Sequence, residues 1–382
     1  MTVSGNEGPH LTPWARWAID LLVADRDAEA RTPLRRFPLA APADGPPGPA
    51  LYLKDESRRP TGSLKHGPAR ELLLTALRAG EIDRSTPLFE ATSGNMAVAQ
   101  AHFARLLGLP FTAVVPERAS AAKRRRIEEH GGRCHPADPP LAVYEKADQL
   151  ARAAGGHYLD HLRRVGAALD AANAAQAAER DSGLAGEILR DLDEAGLPAP
   201  AWIVVGVGSG ATSRAIGRRL RARSLPTRLA VVDPENSSYF PGWAGGVLDY
   251  STGMPSRIEG IGRPRMEPAF DPEVVDLVIP VPDAASVAAM RHLHAVTGLR
   301  AGPSSGACLW GAFHLVDRMR RDGGGDAGPV VALVGDAGEP YRDTYYDDAW
   351  TEARGWRLAD PLARAEPFTR GDGWRPATPP QR

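Results

Sequence analysis

A strand, a glycine-rich turn and a helix follow one another in the stretch VVGVGSGAT, Val204–Thr212, which is the strongest single indicator of the fold. Its apolar beginning is typical of a buried strand, and a helical pattern over Thr212–Ala222 starts at its last residue. Glycines let the backbone approach an anion closely, and the first turn of a helix presents unpaired N–H groups to it. The stretch therefore predicts a phosphate-binding loop, with a tight strand–helix turn that binds no ligand as the alternative.

Short apolar runs alternate with helical patterns on both sides of this loop. Strands are predicted at Leu51–Lys54, Leu88–Ala91, Phe111–Val115, Trp202–Val207, Leu229–Asp233, Val274–Val281 and Val330–Val334. Helices between them are predicted at Pro68–Arg78, Met96–Leu107, Ala119–His130 and Thr212–Ala222. This alternation predicts an α/β fold in which parallel sheets are covered by helices on both faces.

Length and composition set the class of protein. The 382 residues suffice for one large or two medium domains, and a formal net charge of −1 gives no overall attraction for nucleic acid or an anionic membrane. The segment Met1–His10 lacks the pattern of a secretory signal, and no apolar run approaches the roughly 20 residues of a membrane span. Cys134 and Cys308 are far apart, which excludes a disulfide framework. We therefore expect a cytoplasmic protein without a nucleic-acid or membrane partner.

Lysine is scarce, so the candidates for an amine nucleophile are limited to Lys54, Lys65, Lys123 and Lys146. Lys65 lies in the stretch PTGSLKH, directly before a predicted helix, where the helix dipole disfavours a cation. It is a candidate Schiff-base lysine, with a solvated loop lysine as the alternative. Lys54 lies on a strand, Lys146 lies on a polar helical stretch, and the run Lys123–Arg126 is typical of a solvated helix face.

Two further turns rich in hydroxyl groups each lead into a predicted helix. The turn in EATSGNM, Glu90–Met96, either offers N–H groups and side-chain donors to a carboxylate or is a plain helix cap. The turn in GPSSGA, Gly302–Ala307, carries Ser304, which either caps a helix or hydrogen-bonds a heteroaromatic nitrogen. Each turn taken alone leaves both interpretations open.

The glycine-rich loop also fits a rival function. Gly206–Ala211 matches the GxGxxA variant of the dinucleotide-binding fingerprint, and Asp233 ends a strand about 20 residues further on. An NAD-dependent dehydrogenase is therefore an alternative from another class of enzyme. Against it, the loop lies past the middle of the chain, and no obvious acid–base pair for hydride transfer follows it.

In this order, the four segments resemble the cysteine synthase family of fold-type II pyridoxal-phosphate enzymes, which includes O-acetylserine sulfhydrylase, cystathionine β-synthase and L-cysteine desulfhydrases. The likeness extends from Thr32 to Tyr346. It is strongest to the L-cysteine desulfhydrase-like and cysteine synthase-like branch, on the stretches LKDE, TGSLKH, DPENS and TYYDD, residues 53–56, 61–66, 233–237 and 344–348. The resemblance implies a two-domain α/β fold of the tryptophan synthase β type with pyridoxal 5′-phosphate as its cofactor.

The resemblance also implies roles for individual residues. Lys65 would hold the cofactor as a Schiff base and move the substrate α-proton, and Asn95 would hydrogen-bond the cofactor's 3′ oxygen. Ser304 would face the pyridine nitrogen, and a serine there, instead of a carboxylate, suits elimination at the β-carbon. The phosphate would be bound by Gly208, Ser209, Gly210, Ala211 and Thr212. The substrate α-carboxylate would be bound by Thr92, Ser93 and Gly94.

Several positions depart from a standard O-acetylserine sulfhydrylase. Met96 replaces a threonine in the substrate loop, and Ala211 replaces a glycine in the phosphate loop. The loop that contains Gly260 gains arginines, of which Arg263 either pairs with a second carboxylate or is a surface arginine. His161 falls near a position where an amide lines the substrate pocket. The side chains or loops of Met96, His161, Gly260 and Arg263 are accordingly expected to contact the substrate.

The expected reaction is β-replacement, which makes cysteine from O-acetylserine and sulfide, or a related β-substituted alanine from another small nucleophile. The alternative is β-elimination, which degrades L-cysteine to pyruvate, ammonia and sulfide. The resemblance implies a large phosphate-binding domain over residues 12–47 and 166–358, and a smaller domain with the substrate loop over residues 48–165. Residues 1–11 and 363–382 are expected to be disordered. We expect a homodimer by analogy with the family, and no metal site, because closely spaced histidine pairs lack a third ligand.

Overall fold

The computed structural model describes residues 11–43, 48–176, 183–323 and 327–374. Residues 1–10 of the expected disordered N-terminus and residues 375–382 of the expected disordered tail lie outside these ranges. Within the described ranges, no helix combines the length and the apolar character that crossing a membrane requires.

The helices in these ranges are numbered in chain order. Their bounds are α1 Pro13–Ala28, α2 His66–Arg78, α3 Asn95–Leu106, α4 Ala121–Glu129, α5 Val143–Ala153, α6 His161–Ala175, α7 Gly183–Glu194, α8 Ala211–Ala222, α9 Tyr239–Gly245, α10 Asp283–Thr297, α11 Pro303–Arg321, α12 Asp348–Glu352 and α13 Ala359–Thr369. The four helices predicted from periodicity correspond to α2, α3, α4 and α8, and each differs from its predicted bounds by no more than about two residues.

The strands form two sheets. Their bounds are β1 Leu34–Arg36, β2 Leu51–Asp55, β3 Leu88–Ala91, β4 Phe111–Pro116, β5 Arg133–Ala137, β6 His157–Tyr158, β7 Trp202–Gly206, β8 Arg228–Pro234, β9 Leu277–Val281 and β10 Val330–Val334. One sheet has the order β5-β4-β3-β6, and its strand pairs are parallel. The other has the order β1-β2-β10-β7-β8-β9, and among its described strand pairs only β1–β2 is antiparallel. The predicted α/β architecture with parallel sheets is confirmed.

The chain divides into two compact units. The described residues of Met1–Arg31 and Arg59–Ala174 form the first unit, which contains the four-stranded sheet. Those of Thr32–Arg58 and Ala175–Arg382 form the second unit, which contains the six-stranded sheet. These bounds differ from the expected ones at β2, which pairs with β10 in the second unit, at α1, which belongs to the first unit, and at α6, whose residues 166–174 also belong to the first unit.

The central strands of the six-stranded sheet are apolar because both of their faces are buried. β10 reads VVALV and is buried at every position. Val330, Ala332 and Val334 point into one apolar cluster with α10 and α11. Val331 and Leu333 point into a second cluster with α7 and α8. The alternation of side chains along a strand thus places helices on both faces of the sheet.

Two segments differ from their sequence-based expectations. The strand predicted from Val274 begins at Leu277, because the Asp271 carboxylate accepts the N–H of Glu273 and a short 3-10 turn occupies Pro272–Val274. The tail expected to be disordered from residue 363 is folded as far as the structure describes it. α13 buries Phe368, whose ring lies 5.2 Å from that of Phe313, and burial of one such ring contributes about 2 kcal/mol.

Candidate active site

The backbone places Lys65 at the start of a helix in the first unit. Lys65 directly precedes α2, its side chain is partly buried, and no described side chain caps this helix. The turn before it is set by Gly62, which has a φ of 73°, and by Ser63, whose Oγ accepts the N–H of Lys65 at 3.3 Å. The chain therefore holds the Lys65 backbone firmly at the N-terminus of α2.

Lys54 is in a different environment, because its ammonium group is committed to structure. Its side chain is 0% exposed, and Nζ lies 2.8 Å from Oδ2 of Asp191, 3.1 Å from Oε2 of Glu187 and 2.8 Å from the carbonyl oxygen of Thr32. A buried ammonium with two carboxylates and a carbonyl is not available as a nucleophile. The structure thus removes Lys54 from the candidates.

The turn over residues 92–94 joins β3 to α3 in the first unit. Thr92, Ser93 and Gly94 are partly exposed, and the N–H of Gly94 donates to Oγ1 of Thr92 at 3.4 Å. No described side chain caps α3, so its first N–H groups are presented towards this turn. The turn is therefore not the plain helix cap of the alternative interpretation, and it is able to bind a carboxylate through N–H and hydroxyl donors.

Asn95, the first residue of α3, is oriented by an arginine. Its Oδ1 accepts a hydrogen bond from Nη1 of Arg126 on α4 at 3.2 Å. This pairing leaves the amide N–H groups as the donors that Asn95 can offer to an oxygen of a ligand. The prediction that Lys123–Arg126 is a solvated face is confirmed for Arg125, which is exposed, whereas Arg126, like Lys123 and Arg124, is partly buried. A run of charged residues gives no sign of which member turns inward.

The predicted phosphate loop lies in the second unit, between β7 and α8. Gly210 has a φ of 85°, and a Cβ atom there would lie 2.5 Å from Cα of Phe270. The N-cap residue Gly210 has no side chain to cap α8, and the first N–H of the helix, that of Ala211, donates to Oγ of Ser209 at 3.4 Å. A compact loop that ends at the open N-terminus of a helix is suited to a phosphate dianion, because the helix dipole and the N–H groups both favour negative charge.

Tyr239 supports this loop and was not found from the sequence. Its hydroxyl donates to the carbonyl oxygen of Gly208, and its ring packs 4.8 Å from that of Phe270. Burial raises the pKa of the Tyr239 hydroxyl, so the group remains a neutral donor. Nothing in the segment around Tyr239 indicates this role, since the contact depends on how α9 packs against the loop.

Gly260 and Ser304 are neighbours in the second unit. A Cβ atom on Gly260 would lie 3.8 Å from both Cβ and Oγ of Ser304, which is the second residue of α11. A Cβ atom on Gly208 would lie 2.6 Å from the carbonyl oxygen of Gly260. The structure therefore brings the phosphate loop, the Gly260 loop and Ser304 together within the second unit.

The remaining predicted substrate contacts have different environments. Met96 is 5% exposed and lies within the apolar side of α3. Arg263 forms an ion pair, with Nε 2.9 Å from Oε1 of the buried carboxylate of Glu267. This pairing favours a structural use of Arg263 over binding of a second substrate carboxylate. His161 begins α6 in the first unit, at the end of β6, which pairs with β3.

The carboxylate that a dinucleotide fold would need is used locally. Asp233 is 1% exposed, and its Oδ2 accepts the N–H of Phe240 at 2.8 Å, in the first turn of α9. The geometry of Asp233 thus speaks against the dehydrogenase alternative.

Comparison with known proteins decides between the two cofactors. The sequence model of the family described as "Pyridoxal-phosphate dependent enzyme" matches residues 26–336. The chain belongs to this family. The cofactor of this enzyme is therefore pyridoxal phosphate, and the alternative of an NAD-dependent dehydrogenase is wrong.

Two relatives show the range of activities in this part of the family. The L-cysteine desulfhydrase Cds1 of Mycobacterium tuberculosis is 47% identical over 361 residues, which are 94% of this chain and 96% of the relative. An N-(2-amino-2-carboxyethyl)-L-glutamate synthase of Ralstonia nicotianae is 31% identical over 312 residues, 78% of this chain and 83% of the relative. Together with the family match, they confirm the predicted class of pyridoxal-phosphate enzymes that act at the β-carbon of amino acids.

Two solved structures share the fold of this chain. An O-ureido-L-serine synthase superposes with a TM-score of 0.70 at 24% identity and covers 88% of this chain and 98% of its own. A hydrogen sulfide-producing enzyme from Fusobacterium nucleatum gives a TM-score of 0.70 at 23% identity, over 86% and 92% of the two chains. The predicted fold type II is thereby confirmed for this pyridoxal-phosphate-dependent enzyme.

Proposed function

We propose that this enzyme degrades L-cysteine by β-elimination. The observation that carries the proposal is its 47% identity, over 94% of the chain, to a relative named L-cysteine desulfhydrase. The reaction consumes L-cysteine and one water and releases pyruvate, ammonia and hydrogen sulfide. β-Replacement with sulfide, the reaction expected from the sequence, becomes the alternative.

Lys65 is the lysine to which we assign the cofactor. Pyridoxal phosphate, when bound, supplies an electron sink that makes the α-proton of the substrate acidic and lets the β-substituent depart. Lys65 holds the cofactor through its amine and moves the α-proton. Its position at the N-terminus of α2 supports this assignment, as does the commitment of Lys54 to Asp191 and Glu187.

The substrate and cofactor contacts follow from the two turns with open helix N-termini. In the first unit, the turn over residues 92–94 binds the substrate α-carboxylate, and Asn95, oriented by Arg126, donates to the 3′ oxygen of the cofactor. In the second unit, the N–H and hydroxyl groups of residues 208–212 bind the phosphate. Ser304 would be the partner of the pyridine nitrogen, and a serine there, instead of a carboxylate, would favour departure of a β-substituent over a long-lived carbanion.

The same proposal covers assembly and location. We assign the enzyme to the cytoplasm as a homodimer, on the resemblance to the cysteine synthase family. Light scattering behind size-exclusion chromatography measures the mass in solution. A mass of one chain would contradict the dimer and leave the activity assignment standing.

Product analysis of the purified holoenzyme tests the activity. With L-cysteine alone, we expect pyruvate, ammonia and sulfide in equal amounts. Lys65→Ala should lose both this activity and the visible absorbance of the bound cofactor. Lys146→Ala, on the partly buried side of α5, is the matched lysine control and should keep both. Faster formation of cysteine from O-acetylserine and sulfide than of pyruvate from cysteine would replace this proposal with cysteine synthesis.

A further inference from the structure

A buried carboxylate lies directly before the substrate turn of the first unit. Glu90 is on β3 and is 1% exposed. Its Oε1 accepts the N–H of Ala91 at 2.8 Å, and its Oε2 accepts Nε2 of Gln100 at 2.9 Å and the N–H of His161 at 3.1 Å. A carboxylate at this depth costs several kcal/mol unless its charge is also balanced. The charge of Glu90 must therefore be balanced by a neighbouring cationic group in addition to these hydrogen bonds.

The partner is the imidazole ring of His161. Its Nδ1 lies 3.2 Å from Oε1 of Glu90, and its side chain is 13% exposed. Burial raises the pKa of the Glu90 carboxyl, but the interactions with His161, Gln100 and Ala91 outweigh burial, and the pKa lies below its ordinary value. The contact is electrostatic and lacks hydrogen-bond geometry, and the charge of an ionised Glu90 favours a proton on Nδ1 and leaves Nε2 for another partner of the ring.

The backbone before His161 is in an unusual conformation. Asp160 has a φ of 43°, in the left-handed region, which aspartate tolerates better than most residues other than glycine. Its carbonyl oxygen accepts the N–H groups of Arg163 and Arg164 and thereby starts α6. Such conformations concentrate at functional sites, where they aim a side chain. Here the side chain that follows is His161.

The sheet register places His161 beside the substrate turn. β3 and β6 are adjacent parallel strands, with Leu88 opposite His157 and Phe89 opposite Tyr158. The turn over residues 92–94 and His161 both follow the carboxyl ends of these strands, the edge at which parallel α/β sheets bind ligands. In an amino acid, only the α-carbon lies between the carboxylate and the β-carbon. If residues 92–94 bind the carboxylate, the β-substituent lies close by, and the imidazole ring of His161 is then a neighbour of that substituent.

We propose that His161 transfers a proton to the departing β-substituent and that Glu90 is its positioning residue. The proposal rests on the proposed function. When the α-proton is removed, its electron pair forms a double bond between Cα and Cβ. At the same time the bond between Cβ and sulfur breaks, and the electrons of that bond leave with the sulfur. Sulfur takes the proton from Nε2 of His161, so that hydrogen sulfide departs neutral. Glu90 keeps the proton on Nδ1 throughout, and water later returns the proton to Nε2.

Leaving groups that differ in their need for a proton separate this role from simple substrate binding. The sulfur of L-cysteine is helped by protonation, whereas the chloride of β-chloro-L-alanine leaves as an anion and needs none. General acid catalysis contributes typically about 10²–10⁴-fold. We expect His161→Gln to lower kcat for pyruvate formation from L-cysteine by at least about ten-fold and to change that for β-chloro-L-alanine by less than about three-fold.

The matched control is His157→Gln, at the start of β6, four residues before His161. His157 is also a partly buried histidine, but its Nε2 lies 3.6 Å from Oε2 of Glu81, whereas His161 Nδ1 lies 3.2 Å from Glu90. We expect this variant to treat both substrates as the wild type does. Equal losses with both substrates in His161→Gln, or a loss only in KM, would overturn the proposal and assign His161 to carboxylate binding.

A spectroscopic readout tests the role of Glu90 independently of activity. In ¹⁵N NMR spectra of the holoenzyme, we expect Nδ1 of His161 to be protonated in the wild type. In Glu90→Gln, the carboxylate that holds the proton on Nδ1 is gone, so Nδ1 is expected to lose its proton and the same leaving-group selectivity should appear. An unchanged protonation pattern in Glu90→Gln would overturn the positioning role.

Failure of the proposed function would give a different result. If the wild type makes cysteine from O-acetylserine and sulfide instead of degrading it, microscopic reversibility assigns the same proton transfer to the addition of hydrogen sulfide. His161→Gln should then slow sulfide addition by at least about ten-fold and leave acetate release, which needs no proton, within about three-fold. Equal slowing of both half-reactions would reject the role of His161 even then.

Discussion

The backbone of Gly208 lies against the backbone of Gly260. A Cβ atom on Gly208 would be 2.6 Å from the carbonyl oxygen of Gly260, and Gly260 itself, with a φ of 88°, lies beside Ser304. The atoms that a Cβ on Gly208 would meet belong to the backbone, so no flexible side chain can move aside to make room for it. The phosphate loop and the loop near Ser304 are therefore held in one arrangement by a contact that only glycine permits.

Gly208→Ala is expected to disrupt this contact and weaken cofactor binding. The added methyl group must displace one of the two loops, which moves the N–H groups meant for the phosphate. We expect the cofactor content of the purified protein to fall at least about five-fold, measured as visible absorbance per chain. Gly373→Ala, where nothing lies within 4 Å of the new Cβ atom, is the control and should retain its cofactor. Full occupancy in Gly208→Ala would contradict this use of the loop.

The elements that follow from local pattern were predictable from the sequence. The bounds of β3 and β10 match the predicted runs over Leu88–Ala91 and Val330–Val334, which are apolar apart from Glu90, because strands buried on both faces need mostly apolar residues. The glycine loop before α8 could also be predicted, because its glycines and the start of the helix are adjacent in sequence. Short strands such as β6, with two residues, carry too little pattern to be found.

The contacts that organise the candidate site are long-range and were not predictable. Tyr239 reaches Gly208 across 31 residues, Arg126 reaches Asn95 across 31 residues, and His161 reaches Glu90 across 71 residues. Each contact depends on how helices pack against a sheet, which no local pattern reports. The motifs indicated the turns that bind ligands, whereas the residues that hold those turns emerged from packing alone.

Arg126→Ala is expected to impair the site through Asn95. Loss of the hydrogen bond to Oδ1 frees the amide to rotate, so that its N–H groups no longer point reliably at the cofactor. We expect a shift of the visible absorbance maximum and a three- to ten-fold lower affinity, roughly the value of one hydrogen bond, in cofactor titrations. Arg125→Ala changes an exposed neighbour in the same helix and should leave both quantities unchanged. Identical behaviour of the two variants would remove Arg126 from the site.

Lys54→Met is expected to affect stability and to spare the cofactor. The substitution leaves the carboxylates of Asp191 and Glu187 without the ammonium that neutralises them. Removal of one partner of a buried ion pair costs roughly 3–5 kcal/mol. Denaturant unfolding of the holoenzyme should show this loss, while any folded Lys54→Met protein keeps its visible absorbance. Lys65→Ala should show the reverse, with lost absorbance and little change in the stability of the apoenzyme.

His66, which follows Lys65, is expected to make the protein sensitive to acid. Burial lowers the pKa of His66 from about 6.5 to about 3, and the nearby charges of Arg70 and His102 add to the effect. Between these two values the unfolded chain binds a proton that the folded protein does not, so the free energy of unfolding falls as the pH is lowered through this window. From about pH 7 to about pH 4, this single group should account for roughly 3 kcal/mol of lost stability.

His66→Gln tests this pH dependence, because glutamine does not titrate. The free energy of unfolding, measured by denaturant at each pH, should fall less steeply with acid in the variant than in the wild type. The variant loses the packing of the ring on Phe103, 4.6 Å away, and is expected to be less stable near pH 7. The two stability curves should therefore converge as the pH falls. Parallel curves would show that the pKa of His66 is the same in the folded and the unfolded protein, so that burial does not disfavour its charged form.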